Sequence, residues 1–149
     1  MSGKTSVWAR RRARRALVQA AYQWQVSGNS IADICDDFRS GDALKKADVA
    51  FFEEVFKLVA RQADSLDETF RGLLDRSVEQ LDVVERGILR LAAAEFTHRI
   101  DVPYRVVIDE YVELAKTFGA QDSYKFINGV LDKLATDLRA VEVEAAQRG

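Results

Sequence analysis

Very little in this sequence could carry a cross-link, a metal ion or acid–base chemistry: it holds one cysteine, Cys35, one histidine, His98, and one proline, Pro103. A lone cysteine excludes an intramolecular disulfide and any multi-cysteine metal site within one chain. No metal and no cofactor is therefore expected, and a reducing, cytoplasmic setting fits. His98 would need a distant partner to act as a base and reads as a surface or helix-end residue. The acidic neighbours Asp36 and Asp37, Glu53 and Glu54, and Asp109 and Glu110 diverge around a helix instead of converging on one substrate. With no nucleophile–base pair and no glycine-rich phosphate loop in sight, the expectation is a protein that is not an enzyme. No apolar run approaches the roughly 18–20 residues of a membrane helix, and the run after the first arginines is broken by Gln19, Gln23 and Gln25. No membrane segment is expected.

The shortage of breakers has a positive counterpart. One Pro and eight Gly among many Ala, Leu, Glu, Asp and Arg residues predict an all-α fold, and 149 residues suffice for one domain with a real core. Six to seven helices are expected. The first runs from Ala9 to Val26 and stops at Ser27-Gly28-Asn29. Ser30 caps a short second helix carrying Ile31, Ile34, Cys35 and Phe38. One long helix follows from Asp48, with Phe52, Val55, Phe56, Val59, Leu66 and Phe70 on a single stripe. Asp82 and Glu85 have capping-box spacing for the next, and Pro103 suits the first turn of another. Gly119 is expected as a left-handed C-terminal cap and Asp122 as the N-cap of the last helix. Gly129, costly inside that helix, predicts close approach of a neighbour. By this reading residues 1–8 are a flexible N-terminal tail, 9–140 the helical domain and 141–149 a frayed C-terminal tail.

Acid is absent from the start of the chain. Up to Ala32 there are Lys4, Arg10, Arg11, Arg12, Arg14 and Arg15 and no Asp or Glu, so this stretch is +6; with −2 overall, the rest is −8. A cationic end on an acidic protein attracts a polyanion locally. At about 100° per residue, Ala13, Leu17, Ala20 and Trp24 form the predicted core face of the first helix. Arg11, Arg15, Val18 and Tyr22 lie nearly opposite. Guanidinium groups pair with phosphate in two-pronged fashion, and both Arg and Tyr stack on unpaired bases, so the face suggests RNA. The bland alternative is a solubilising helix start, although five positive charges near a helix N-terminus oppose its dipole. An organellar transit peptide has similar composition, but here the arginine helix continues straight into core-like residues.

Taken together, three blocks resemble the NusB family: the arginine run leading into Val18 through Gln25, the segment Val84–Arg90, and above all Asp101–Gly119 with Asp122–Asp132. The resemblance covers Arg10 to about Leu138. It implies two packed three-helix halves and a role in transcription antitermination, with no catalysis. It also implies partners: boxA RNA, the ribosomal protein NusE, and the RNA polymerase elongation complex with other Nus factors, notably on ribosomal RNA operons. By position, Arg10, Arg11, Arg12, Arg14 and Arg15 correspond to the family's RNA-binding segment, Arg15 standing where some members have an acid. Ser123, Lys125 and Phe126 match the edge of the RNA site. Tyr22, Glu85 and Asp122 match positions on the partner surface or the RNA-site rim. Three alternatives stay open: a NusB-like recognition domain of an RNA methyltransferase, although no nucleotide-cofactor segment follows; a helical DNA-binding protein, although no helix-turn-helix signal stands out; and a purely structural adaptor.

Overall fold

Helix starts and stops in this chain follow its few capping residues. The computed structural model describes residues 6–149. Ser6 accepts the Ala9 N–H at 3.0 Å and opens α1 (Val7–Ser27), which Gly28 ends with φ +71°. Ser30 caps α2 (Ile31–Ser40) by accepting the Asp33 N–H, and Asp48 caps α3 (Val49–Arg61) by accepting the Phe51 N–H. Beyond these lie α4 (Ala63–Arg71), a 3₁₀ turn (Val78–Gln80), α5 (Val83–His98), α6 (Tyr104–Phe118), α7 (Ser123–Leu138) and α8 (Ala140–Arg148). The fold is all-α, with eight α-helices among the described residues.

The count exceeds six to seven for two local reasons. The expected long helix breaks at Gln62, whose backbone leaves the helical region at φ −123°, ψ 27° and divides α3 from α4. Of the segment 141–149, expected to fray, residues 141–148 are instead part of α8 and Gly149 follows its end. Arg139, itself buried, donates to the carbonyls of Phe96 (2.8 Å) and Arg99 (3.0 Å) at the end of α5. It also holds Glu142, which accepts the Tyr104 N–H at 2.9 Å and so caps α6. Charged side chains thus satisfy open backbone groups at two helix ends. Of the expected tail 1–8, residues 1–5 lie outside the described residues, while Val7 and Trp8 are already helical.

α5 is the hub. Ile88, Leu89 and Leu91 through Phe96 are all buried, and the helix packs against α1, α3, α4, α6 and α7. Its crossing with α1 is close: a Cβ on Gly87 would sit 3.3 Å from the Ala21 methyl. Gly129 has no such neighbour within 4 Å, so the close approach expected there is absent. Ala13, Leu17 and Ala20 are fully buried, as expected of the core face of α1, but Val18 on the opposite side is buried too and Trp24 only partly so, which makes that face wider than expected. Two charged groups also enter the interior here. Arg14, 2 % exposed, donates Nε–H and Nη2–H to the two oxygens of Glu95 at 2.9 Å each, and the Tyr111 hydroxyl donates to Glu95 Oε2 at 2.6 Å. Burial alone would lower the Arg14 pKa, but the Glu95 hydrogen bond and charge outweigh it and hold the guanidinium above its ordinary range. Burial, with the Glu95 charge, pushes the Tyr111 hydroxyl well above its usual value. The cluster thus holds a paired charge and a neutral phenol.

Candidate nucleic-acid interface

Helical spacing divides the five arginines of α1 among three environments. Arg14 points inward to Glu95, as described, so this residue of the expected RNA-binding set belongs to the core. Arg10 turns toward α3: its Nε donates to Asp48 at 3.1 Å and its guanidinium lies 4.2 Å from the centre of the Phe51 ring. Asp48 is itself a junction, capping α3 and donating its N–H to the Ala9 carbonyl at 3.0 Å, so Arg10 is partly occupied in fixing α3 against α1.

Arg11, Arg12 and Arg15 remain on the surface. They share a concavity with Trp8, Glu110 and Leu114, between α1 and α6. Arg11 donates Nε–H to both oxygens of Glu110 at 3.2 Å and lies 5.2 Å from the Trp8 ring centre. Arg15 sits 5.0 Å over the Phe118 ring at the end of α6. Among the described residues Arg12 makes no ion pair within 4 Å, and it borders a second concavity with Gln19, Lys45 and Lys46. Those lysines come from the loop before α3, anchored by the buried Leu44 and by the Asp48–Ala9 bond, with Lys46 at φ +61°. The result is a cationic surface running from α1 to that loop. Guanidinium and ammonium groups in open grooves are suited to phosphate, and the flanking rings to stacked bases.

Sequence reasoning passed over Lys45, Lys46, Trp8 and Phe118. The adjacent lysines were a visible signal, but only the folded loop places them beside Arg12.

The remaining expected residues fall into two further groups. Tyr22, 48 % exposed, lies along α1 in a shallow depression with Gln19, Val26 and Phe38, and is available to a partner. Glu85 and Ser123 are 8 % and 6 % exposed, and the Ser123 hydroxyl donates to Glu85 Oε2 at 2.7 Å, tying α7 to α5. The capping box is thus half formed: Asp82 accepts the Glu85 N–H at 2.8 Å, while the Glu85 carboxylate accepts from Ser123. Two caps differ from expectation. Gly119 is extended at φ −84°, ψ 170°, and the left-handed residue is Asp122, φ +67°, whose side chain makes no capping bond. A Cβ on Gly119 would come within 2.7 Å of the Ala115 carbonyl, so tight packing explains that glycine. The Asp122 carboxylate instead lies 3.5 Å from Lys125 Nζ, both side chains being exposed. Phe126 lies under Arg76, 4.6 Å from its guanidinium. The structure therefore brings Arg11, Arg12 and Arg15 together, and through Phe118 leads toward α7. It leaves Arg10, Arg14, Glu85 and Ser123 partly or wholly committed to internal contacts.

Among the described residues no group of three or more His, Cys, Asp or Glu side chains is placed to hold a metal, and no helix is long and apolar enough to cross a membrane.

Comparison with known proteins bears on the family and the fold. The NusB family model matches residues 11–136. A protein of Shewanella amazonensis named transcription antitermination protein NusB is 54% identical over 125 residues, covering 84% of this chain and 93% of the relative. Its namesake in Alcanivorax borkumensis is 49% identical over 142 residues, 95% of each chain. Among solved structures, T. maritima NusB superposes with a TM-score of 0.77 at 30% identity, over 85% of this chain and 89% of that one.

Proposed function

Because this chain belongs to the NusB family, we propose that it is a transcription antitermination factor that binds boxA RNA together with NusE and joins the RNA polymerase elongation complex in the cytoplasm, notably on ribosomal RNA operons. The observation that carries this reading is the cationic surface of Arg11, Arg12 and Arg15, extended by Lys45 and Lys46 and flanked by aromatic rings. The mechanism is assembly without bond chemistry. Arginines neutralise successive phosphates of a single strand, displacing condensed counterions, while the exposed Tyr22, in its shallow depression along α1, offers a neighbouring surface to the protein partner. Of the residues matched to the family's RNA edge, Lys125 is the one whose charge is displayed to solvent. Ser123 and Glu85 contribute by holding the start of α7 in place.

Titration of a boxA-like RNA and a scrambled strand of equal length, with and without purified NusE, tests the reading. The boxA-like strand is expected to bind more tightly, and NusE to increase that preference. Equal binding of both strands in the presence of NusE would refute it, and preference for duplex DNA would point to a different class of nucleic-acid protein.

A further inference from the structure

Trp8 is a feature of the arginine surface that phosphate binding does not explain. It lies in the first turn of α1, 67 % exposed, although a tryptophan side chain is among the most favourable to bury. It is not a loose ornament of the terminus. Its ring forms a wall of the concavity that Arg11, Arg12 and Arg15 share, and the Arg11 guanidinium lies 5.2 Å from its centre. Arg11 is in turn held by both oxygens of Glu110 from α6, which ties the ring's neighbour to a second helix. The acidic members of the concavity are offset: Glu110 also lies 3.9 Å from Arg14, and Glu113 pairs with Lys116 at 2.9 Å. An apolar protein segment would have to desolvate three guanidinium groups to reach the indole. A nucleotide meets the same surroundings with a phosphate for the arginines and a flat π-face for the ring.

We propose that Trp8 is a stacking platform for an unpaired base of the bound RNA, so that the arginine concavity reads one nucleotide as base plus phosphate and not as charge alone. This rests on the RNA-binding reading above and adds a specific contact to it. The guanidinium of Arg11 and the indole would then act as a pair, one taking the phosphate side and the other the base.

The test uses the full chain. In a Trp24→Phe background Trp8 is the sole tryptophan, because the sequence has two. A boxA-like RNA should quench its fluorescence at saturation, whereas inorganic polyphosphate bound to the same arginines should leave it nearly unchanged. Trp8→Ala should weaken RNA binding roughly tenfold, with an unchanged melting temperature and an unchanged salt slope, since no phosphate contact is removed. Trp8→Phe should restore most of the loss. Wild-type affinity in Trp8→Ala would overturn the proposal while leaving arginine-mediated binding intact. So would equal quenching by polyphosphate, or self-association on sedimentation that Trp8→Ala abolishes without changing RNA affinity. Failure of the unsubstituted protein to bind any RNA would instead remove the parent reading, and the stacking role with it.

Discussion

Five arginines within six positions perform different tasks, and a pair of substitutions separates them. Replacing Arg14 with Ala leaves the Glu95 carboxylate, fully buried and still receiving the Tyr111 hydroxyl, without its cation. Breaking a buried pair by removing one partner costs about 3–5 kcal/mol. Arg14→Ala should therefore lower the melting temperature sharply, whereas Arg12→Ala, which loses no described ion pair, should leave it within experimental error and weaken RNA binding. Thermal melts followed by circular dichroism check both, and equal melting temperatures for the two variants would contradict the division. Asp122 offers a second case. Its left-handed backbone is a conformation that Asn also adopts readily, and its side chain caps nothing. Asp122→Asn should leave stability unchanged. If RNA passes this helix start, removal of the carboxylate next to Lys125 should tighten binding by on the order of 1 kcal/mol at low salt, and the gain should shrink as salt screens the charge. Binding unchanged or weaker at low salt would place the strand elsewhere.

At the scale of the helices, most boundaries were legible where a capping side chain acts through its own local sequence, although Ser6 opens α1 at Val7, ahead of the expected Ala9. Ser30, Asp48 and Asp82 cap as their positions suggest, and Gly28 ends α1. What could not be read was decided by contacts between distant segments. α8 exists because Arg139 and Glu142 close the ends of α5 and α6, partners some 40 residues away in sequence. Arg139→Met should remove charge-assisted bonds to backbone carbonyls worth about 1.5–3 kcal/mol and loosen α8, seen as faster amide exchange there. Retained protection would mean that the packing of Val143 suffices. Gly129 supplies the opposite sign. With nothing within 4 Å of a prospective Cβ and ordinary helical surroundings, Gly129→Ala should stabilise by about 0.4–1 kcal/mol. A lower melting temperature would reveal a constraint on that position from outside the folded chain, such as a docked partner.

For the whole molecule, composition and charge distribution carried further than residue assignments did. The all-α class, the single core and the cationic end are properties of many residues at once and survive local error. The site was legible as a run of arginines but not as a surface, because an ideal helical wheel put Val18 outward and the run itself does not show that Arg14 turns inward. In the folded chain Val18 is buried and Arg14 meets Glu95, 81 positions away. Lys45 and Lys46 reach Arg12 only through a loop pinned to α1. The central claim is that Arg11, Arg12 and Arg15 are the phosphate contacts of a single RNA strand. It is tested most directly by the salt dependence of RNA binding, measured for the unsubstituted protein and for Arg11→Ala/Arg12→Ala/Arg15→Ala. Each phosphate contact to a single strand contributes about 0.7 to the slope of log affinity against log salt. The triple variant should bind far more weakly at low salt, with a slope shallower by about 2, and retain its fold. An unchanged slope and affinity in the folded triple variant would contradict the account.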